Sequence, residues 1–331
     1  MTVSAFSPLL RAARFIGGLL RADGAERLGL LGLGAILIIA GAEVAGPVLL
    51  GLAVTDLAAP SLPEAPMAGL WALLLAGGFV VCRLLSGGLG AVRDHALYRL
   101  GRRLNEAVAL RAVDHLSRRG PGQRSGPGAE PVNRGVEAAY GVTEALAFGV
   151  LPVLVQAAGV AVVLLVVAGP LYALLGLGGA ALYTAVVAGG LARQAPVIAR
   201  LNADYTGIED AMTEAGADGA ASRVRSRLAE GFAGVREADQ TVARLHLRCG
   251  LLEAAVLMAT LAAVVGLSAE AVLAGAAPVG LLVMVAALTV LLFTPLRGMV
   301  QQAVVAGRQA AGLMPLIDLL ETPEAVANGG K

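Results

Sequence analysis

Four polar side chains stand where the chain is otherwise apolar, and any chemistry at membrane depth has to start from them. Glu43 falls inside the apolar run Leu28–Val54, and Arg83 inside the run from about Leu70 to Gly90. Gln156 lies within Leu146–Val167, and Glu253 just inside Leu251–Leu267. An ionisable group at the bilayer centre costs about 2.5–3.5 kcal/mol on insertion scales, so each one that persists is a candidate binding group. Facing one cavity, Glu43, Arg83 and Glu253 would hold a substrate. Paired with each other, Glu43 and Arg83 would instead lock the first two spans together and leave Glu253 at the interface. Both arrangements remain open from sequence. No nucleophile–base pair accompanies these groups, so no catalytic residue is assigned.

The other reactive residue types point to structure. His95, His115 and His246 are far apart and fall in no metal-ligand spacing such as HExxH. Cys82 and Cys249 stand in or beside apolar runs, as inert buried thiols do. Trp71, Tyr140, Tyr172 and Tyr183 lie near the ends of apolar runs, which suits interfacial anchoring. Asp204, Glu209 and Asp210, followed by Glu214 and Asp218, form an acidic patch that reads as a solvated helix face or a partner contact.

The elements that must position these residues are set by composition. The 331 residues are 57% hydrophobic and 15% charged, with a mean hydropathy of +0.77. That is the signature of an all-α polytopic membrane protein. A net charge of +1 leaves no general footprint for nucleic acid. Twenty-four of the 25 basic residues are arginine, Lys331 being the exception, and their placement fixes a topology. Residues 1–27, with Arg11, Arg14, Arg21 and Arg27 among Leu, Phe and Ile, read as a cytoplasmic amphipathic elbow helix. Residues 28–296 hold six spans. The second continues past the membrane as a polar helix, and Gly169-Pro170 makes a tight turn between the third and fourth. Residues 297–331 form an exit segment in which Pro315 is expected to kink the helix. Nine arginines lie in 93–134 and eight in 193–248, while the loops 56–69, 169–170 and 268–278 have none. The positive-inside rule then places both termini in the cytoplasm, across a bacterial-type inner membrane, with no cleavable signal at the start.

Several stretches carry a resemblance. Ala274–Leu296, AGAAPVGLLVMVAALTVLLFTPL, is similar to the last transmembrane helix of ABC exporters, with its small external turn and closing "PL". Glu230–Arg236 resembles the stretch returning to span five. Asp114-His115-Leu116 with Asn133–Glu137, and Phe148–Pro152 at the start of span three, resemble the half-transporters that handle glutathione conjugates and heavy metals. The resemblance covers almost the whole chain. It implies six helices extended into the cytoplasm, a domain-swapped homodimer or heterodimer, and alternating access to a small-molecule substrate cavity.

The departures from that pattern are equally specific. No phosphate-binding G-x-x-x-x-G-K-[ST] loop occurs, so ATP would be bound by a separate nucleotide-binding subunit or a full-length partner, and this chain would bind no cofactor itself. Leu85-Ser86-Gly87-Gly88 copies the start of the ATPase signature but sits inside span two, where small residues allow close helix packing. Leu319–Glu324 resembles the linker into an ATPase domain. Arg118–Gly128, where a coupling helix is expected, carries too many Gly and Pro to hold one. The polar run of the glutathione subgroup is replaced by Gly250-Leu251-Leu252-Glu253. Three readings follow: the permease subunit of an exporter for a small amphipathic molecule, an ATPase-less relative that binds or transforms a small molecule in the membrane, or a piece of an ordinary half-transporter.

Overall fold

The computed structural model describes residues 6–22, 26–58, 66–117, 129–214 and 221–321, and among these no strand occurs. Helix α1 (Phe6–Ala22) precedes the long α2 (Glu26–Leu57) and α3 (Pro66–Ser117). Next come α4 (Ala129–Glu144), α5 (Leu151–Val163), α6 (Pro170–Glu214), α7 (Ala221–Leu273), α8 (Val279–Phe293) and α9 (Leu296–Glu321). The Gly-Pro tip between α3 and α4, Asp218, and the linker after Glu321 lie outside the described residues.

Six of the described helical runs are long and apolar enough to cross a membrane: Glu26–Leu57, Gly69–His115, Val132–Ala168, Pro170–Thr213, Val224–Leu273 and Val279–Glu321. The chain is an integral membrane protein by that criterion. Three helices far outrun a bilayer. At 1.5 Å per residue, α3, α6 and α7 are about 78, 68 and 80 Å long against a hydrocarbon core of about 30 Å.

Prolines and glycines shape the helix junctions. Pro152 has no N–H to continue the ladder, and the preceding turn, Ala145–Val150, widens into a π segment in which the Leu151 N–H bonds the Leu146 carbonyl. A second π segment, Leu164–Ala168, ends at Gly169, whose N–H reaches the Leu164 carbonyl at 2.9 Å. Gly169 has φ +105°, a conformation that favours glycine, and Pro170 starts α6, so the expected tight turn is there. The loop expected over 268–278 is shorter than that, because α7 runs on to Leu273. It closes with the Gly275 N–H on Val272 and the Ala276 N–H on Ala271, around Gly275 at φ +71°. That pair of bonds satisfies carbonyls a helix end otherwise leaves bare. Pro315 does not end α9, which continues to Glu321.

The chain divides into two compact units. One comprises residues 1–173 and 265–331. Its core at one end brings together Ala12, Ile16 and Leu19 of α1, Leu104 and Val108 of α3, Val142 of α4, and Leu313, Leu316 and Ile317 of α9. Helices α4 and α9 pack antiparallel through small residues: Gly135 meets Leu316, Ala138 meets Gly312, and Gly141 meets Gln309. At the surface of this end Arg11 forms ion pairs with Glu321 and Asp318, and both carboxylates raise the guanidinium pKa above its ordinary value. At the opposite end α2 and α8 cross at Gly51 and Gly280.

The second unit, residues 174–264, is a hairpin of α6 and α7. Gly179 lies against Thr260, Gly190 against Cys249, Gly231 against Ile208, and Gly234 against Asp204. Moving eleven residues along α6, from Gly179 to Gly190, moves eleven back along α7, from Thr260 to Cys249. The register is constant because a glycine lets the backbones approach at each level, which at Gly179 and Gly190 is the usual solution where lipid provides no hydrophobic drive.

Candidate functional site

The polar side chains at membrane depth divide between the two units. Glu43, Arg83 and Gln156 belong to the first, Glu253 to the second. Glu43 on α2 is partly buried. Among the described residues no ion pair joins it to Arg83. The Arg83 guanidinium lies instead 5.9 Å from the centroid of the Phe79 ring, one helical turn back on α3, in cation–π geometry. Its side chain is exposed, on a helix whose apolar window is only 6% buried. Gln156 on α5 is buried.

Glu253 is the most enclosed of the four, 5% exposed. It lies one turn along α7 from Cys249 and two turns from Thr260, the residues that meet the α6 glycines, so it falls on the seam of the hairpin. Tyr183 donates its hydroxyl to Glu253 Oε2 at 3.3 Å. Gln194 is also buried on α6. Removing a hydrogen-bonded buried group leaves its partner unsatisfied, at a cost of about 1–3 kcal/mol. Glu253→Ala is therefore expected to lower the melting temperature of the purified protein, while Glu253→Gln, which can still accept from Tyr183, retains most of it. Equal melting of Glu253→Ala and the unsubstituted protein would remove the carboxylate from the hairpin's seam.

Threonines offer less to a ligand than their number implies. Thr143, Thr184, Thr260, Thr289 and Thr294 each donate to a carbonyl four residues back in their own helix, at 2.8 to 2.9 Å. Hydroxyls at membrane depth satisfied in this way are already partnered.

The open space in the first unit follows α2. A groove of about 650 Å³ runs between α2 and α5, lined on α2 by Leu37, Gly41, Val44 and Val48 and on α5 by Val155 and Gly159. Toward the start of α2 a second groove, about 540 Å³, adds α1 and α3 to its walls and continues along α5 at Leu151 and Leu154. At the far end a third, about 410 Å³, includes Gly51, Thr55, Tyr172, Gly280 and Met284. From Gly29 to Thr55 this line of grooves follows about 39 Å of helix, more than the thickness of a hydrocarbon core. Glu43, Arg83 and Gln156 line none of the three. Charge at membrane depth thus points to one set of residues and open space to another. The sequence signal for the second set is the repeated small residues of α2 and α5, Gly29, Ala40, Gly41, Ala45, Ala158 and Gly159, which leave room between the helices.

Among the described residues no group of three His, Cys, Asp or Glu side chains could hold a metal ion. No protein-family model and no curated protein matches the chain.

Proposed function

We propose that the chain is the transmembrane permease subunit of an ABC-type exporter, moving a small amphipathic molecule with ATP hydrolysed on another chain. The observation that carries this reading is the division of the helices. The fourth and fifth spans, α6 and α7, form a long hairpin with its own internal register, while the other four spans pack in the other unit. A hairpin with a self-contained seam keeps its own packing when it moves as one body, as exchange between two protomers would require. The length of α3, α6 and α7 supports the same reading, since helices that outrun the bilayer can carry movement to a soluble ATPase. The apolar grooves along α2 suit a substrate with a substantial hydrocarbon surface.

A second reading is favoured by the end of α9. Leu313, Leu316 and Ile317 are fully buried against α1, α3 and α4, so the segment that would lead toward an ATPase is held on its own bundle. Under this reading the fold has given up ATP coupling and serves as a membrane-embedded binding protein or enzyme.

Gentle purification from native membranes, with mass spectrometry of what accompanies the chain, separates the two. A stoichiometric ATPase subunit, with hydrolysis stimulated by an amphipathic substrate, is the expected result for the permease. A dimer bearing a small molecule and no ATPase would overturn it in favour of the second reading.

A further inference from the structure

The groove at the start of α2 differs from the other two in what surrounds it. Its walls are almost wholly apolar, formed by Gly17 and Leu20 of α1, Leu33 of α2, Leu97 of α3, and Leu151 and Leu154 of α5. Helix α1 borders it and carries three arginines and no acidic residue. Its three faces have separate tasks. Ala12, Ile16 and Leu19 are buried in the core with α9, and Ala13, Gly17 and Leu20 face the groove. Arg14 and Arg21 are exposed beside the second face: Arg14 precedes Gly17 by three residues and Arg21 follows it by four, the spacings that share a helix side.

The arginines of α1 also differ from one another. Arg11 is held by Asp318 and Glu321. Arg14 and Arg21 make no ion pair among the described residues. Glu26 at the start of α2 is exposed, and so is Arg27 beside it. The amphipathic α1, with basic residues beside an apolar cleft, fits the level of a bilayer where acyl chains give way to headgroups.

We infer that this groove is a binding site for one anionic phospholipid, with an acyl chain between α1, α2 and α5 and the phosphate between Arg14 and Arg21. The inference rests on the chain being in a membrane and is independent of ATP coupling. Charge complementarity selects the occupant: the 650 Å³ groove between α2 and α5 is equally apolar but is bordered by no such pair of arginines, and would take any hydrocarbon without preference.

The test is native mass spectrometry of the full chain, delipidated in detergent and then offered equal amounts of phosphatidylglycerol and phosphatidylcholine. One phosphatidylglycerol per chain should be retained in preference. A basic side chain near a lipid surface is worth about fivefold in binding, so the Arg14→Gln/Arg21→Gln protein should lose most of that preference. Gly17→Leu grows a side chain into the groove, where a Cβ meets nothing within 4 Å, and should lose the bound lipid. Gly18→Leu, equally unobstructed but outside the groove lining, should keep it and so controls for folding. Equal retention of both lipids by the unsubstituted protein, or undiminished retention by Gly17→Leu, overturns the site. So does a tightly held molecule of another class that neither lipid displaces.

Discussion

Gly280→Ala is expected to abolish the properly packed protein, although it adds one methyl group. At the crossing of α2 and α8, a Cβ on Gly280 would lie far inside van der Waals contact with the Gly51 carbonyl oxygen and with Thr55 Oγ1. A Cβ on Gly51 would in turn lie 2.8 Å from the Gly280 carbonyl oxygen and 2.8 Å from Met284 Cβ. Overpacking typically costs about 1–3 kcal/mol when side chains can move aside. Here the obstacle is the neighbouring helix backbone, which has no rotamer to change, so the cost should reach or exceed that range. The measurement is the monodisperse fraction after detergent extraction, followed by thermal melting of whatever survives. Gly51→Ala should behave alike. Gly298→Ala, whose Cβ meets nothing within 4 Å, should melt no lower than the unsubstituted protein, since alanine favours helix over glycine. A Gly280→Ala protein with normal melting would mean that α2 and α8 do not touch backbone to backbone. The consequence reaches function as well, because Gly51, Thr55, Gly280 and Met284 border the outermost groove on α2, and separating the helices would change its width.

That crossing shows what a single sequence discloses and what it withholds. The six spans were legible because hydropathy needs no tertiary information, and the turn at Gly169-Pro170 was legible because few other dipeptides do what it does. The second span does continue past the membrane as a polar helix, α3 running to Ser117 through Gly87, Gly88 and Gly90. The partner of Gly280 could not be read, since a glycine in an apolar helix looks the same whether it meets a backbone, like Gly51, or open space, like Gly87. Polar residues at membrane depth and open space are legible to different degrees for a related reason. Charge at membrane depth is conspicuous, and it drew attention to Arg83, which lies over its neighbour Phe79 on an exposed helix face. The grooves along α2 are made by what Gly41, Ala45 and Gly159 lack, and absent side chains give no signal until two helices are placed together.

Leu316→Ala is expected to loosen the end of α9 by about 2–5 kcal/mol, the usual cost of truncating a fully buried leucine. The site cannot collapse easily. Leu316 fills the hollow that Gly135 leaves on α4, and Leu313 and Ile317 beside it are equally buried against α1 and α4. Arg11→Gln removes the ion pairs to Asp318 and Glu321 on the same helix end, yet all three side chains are largely in solvent, and exposed pairs of this kind contribute little. The comparison therefore decides what fastens α9 to α1. Leu316→Ala should lower the melting temperature clearly and make the end of α9 accessible to protease, whereas Arg11→Gln should leave both nearly unchanged at moderate salt. A larger effect from Arg11→Gln would reverse the assignment and make the attachment electrostatic and salt-sensitive. If packing dominates, any displacement of α9 must carry α1 with it, and α1 is also a wall of the groove flanked by Arg14 and Arg21. An ATPase pulling on α9, or a lipid seated against α1, would then act on the same mechanical element, and each would alter the affinity for the other.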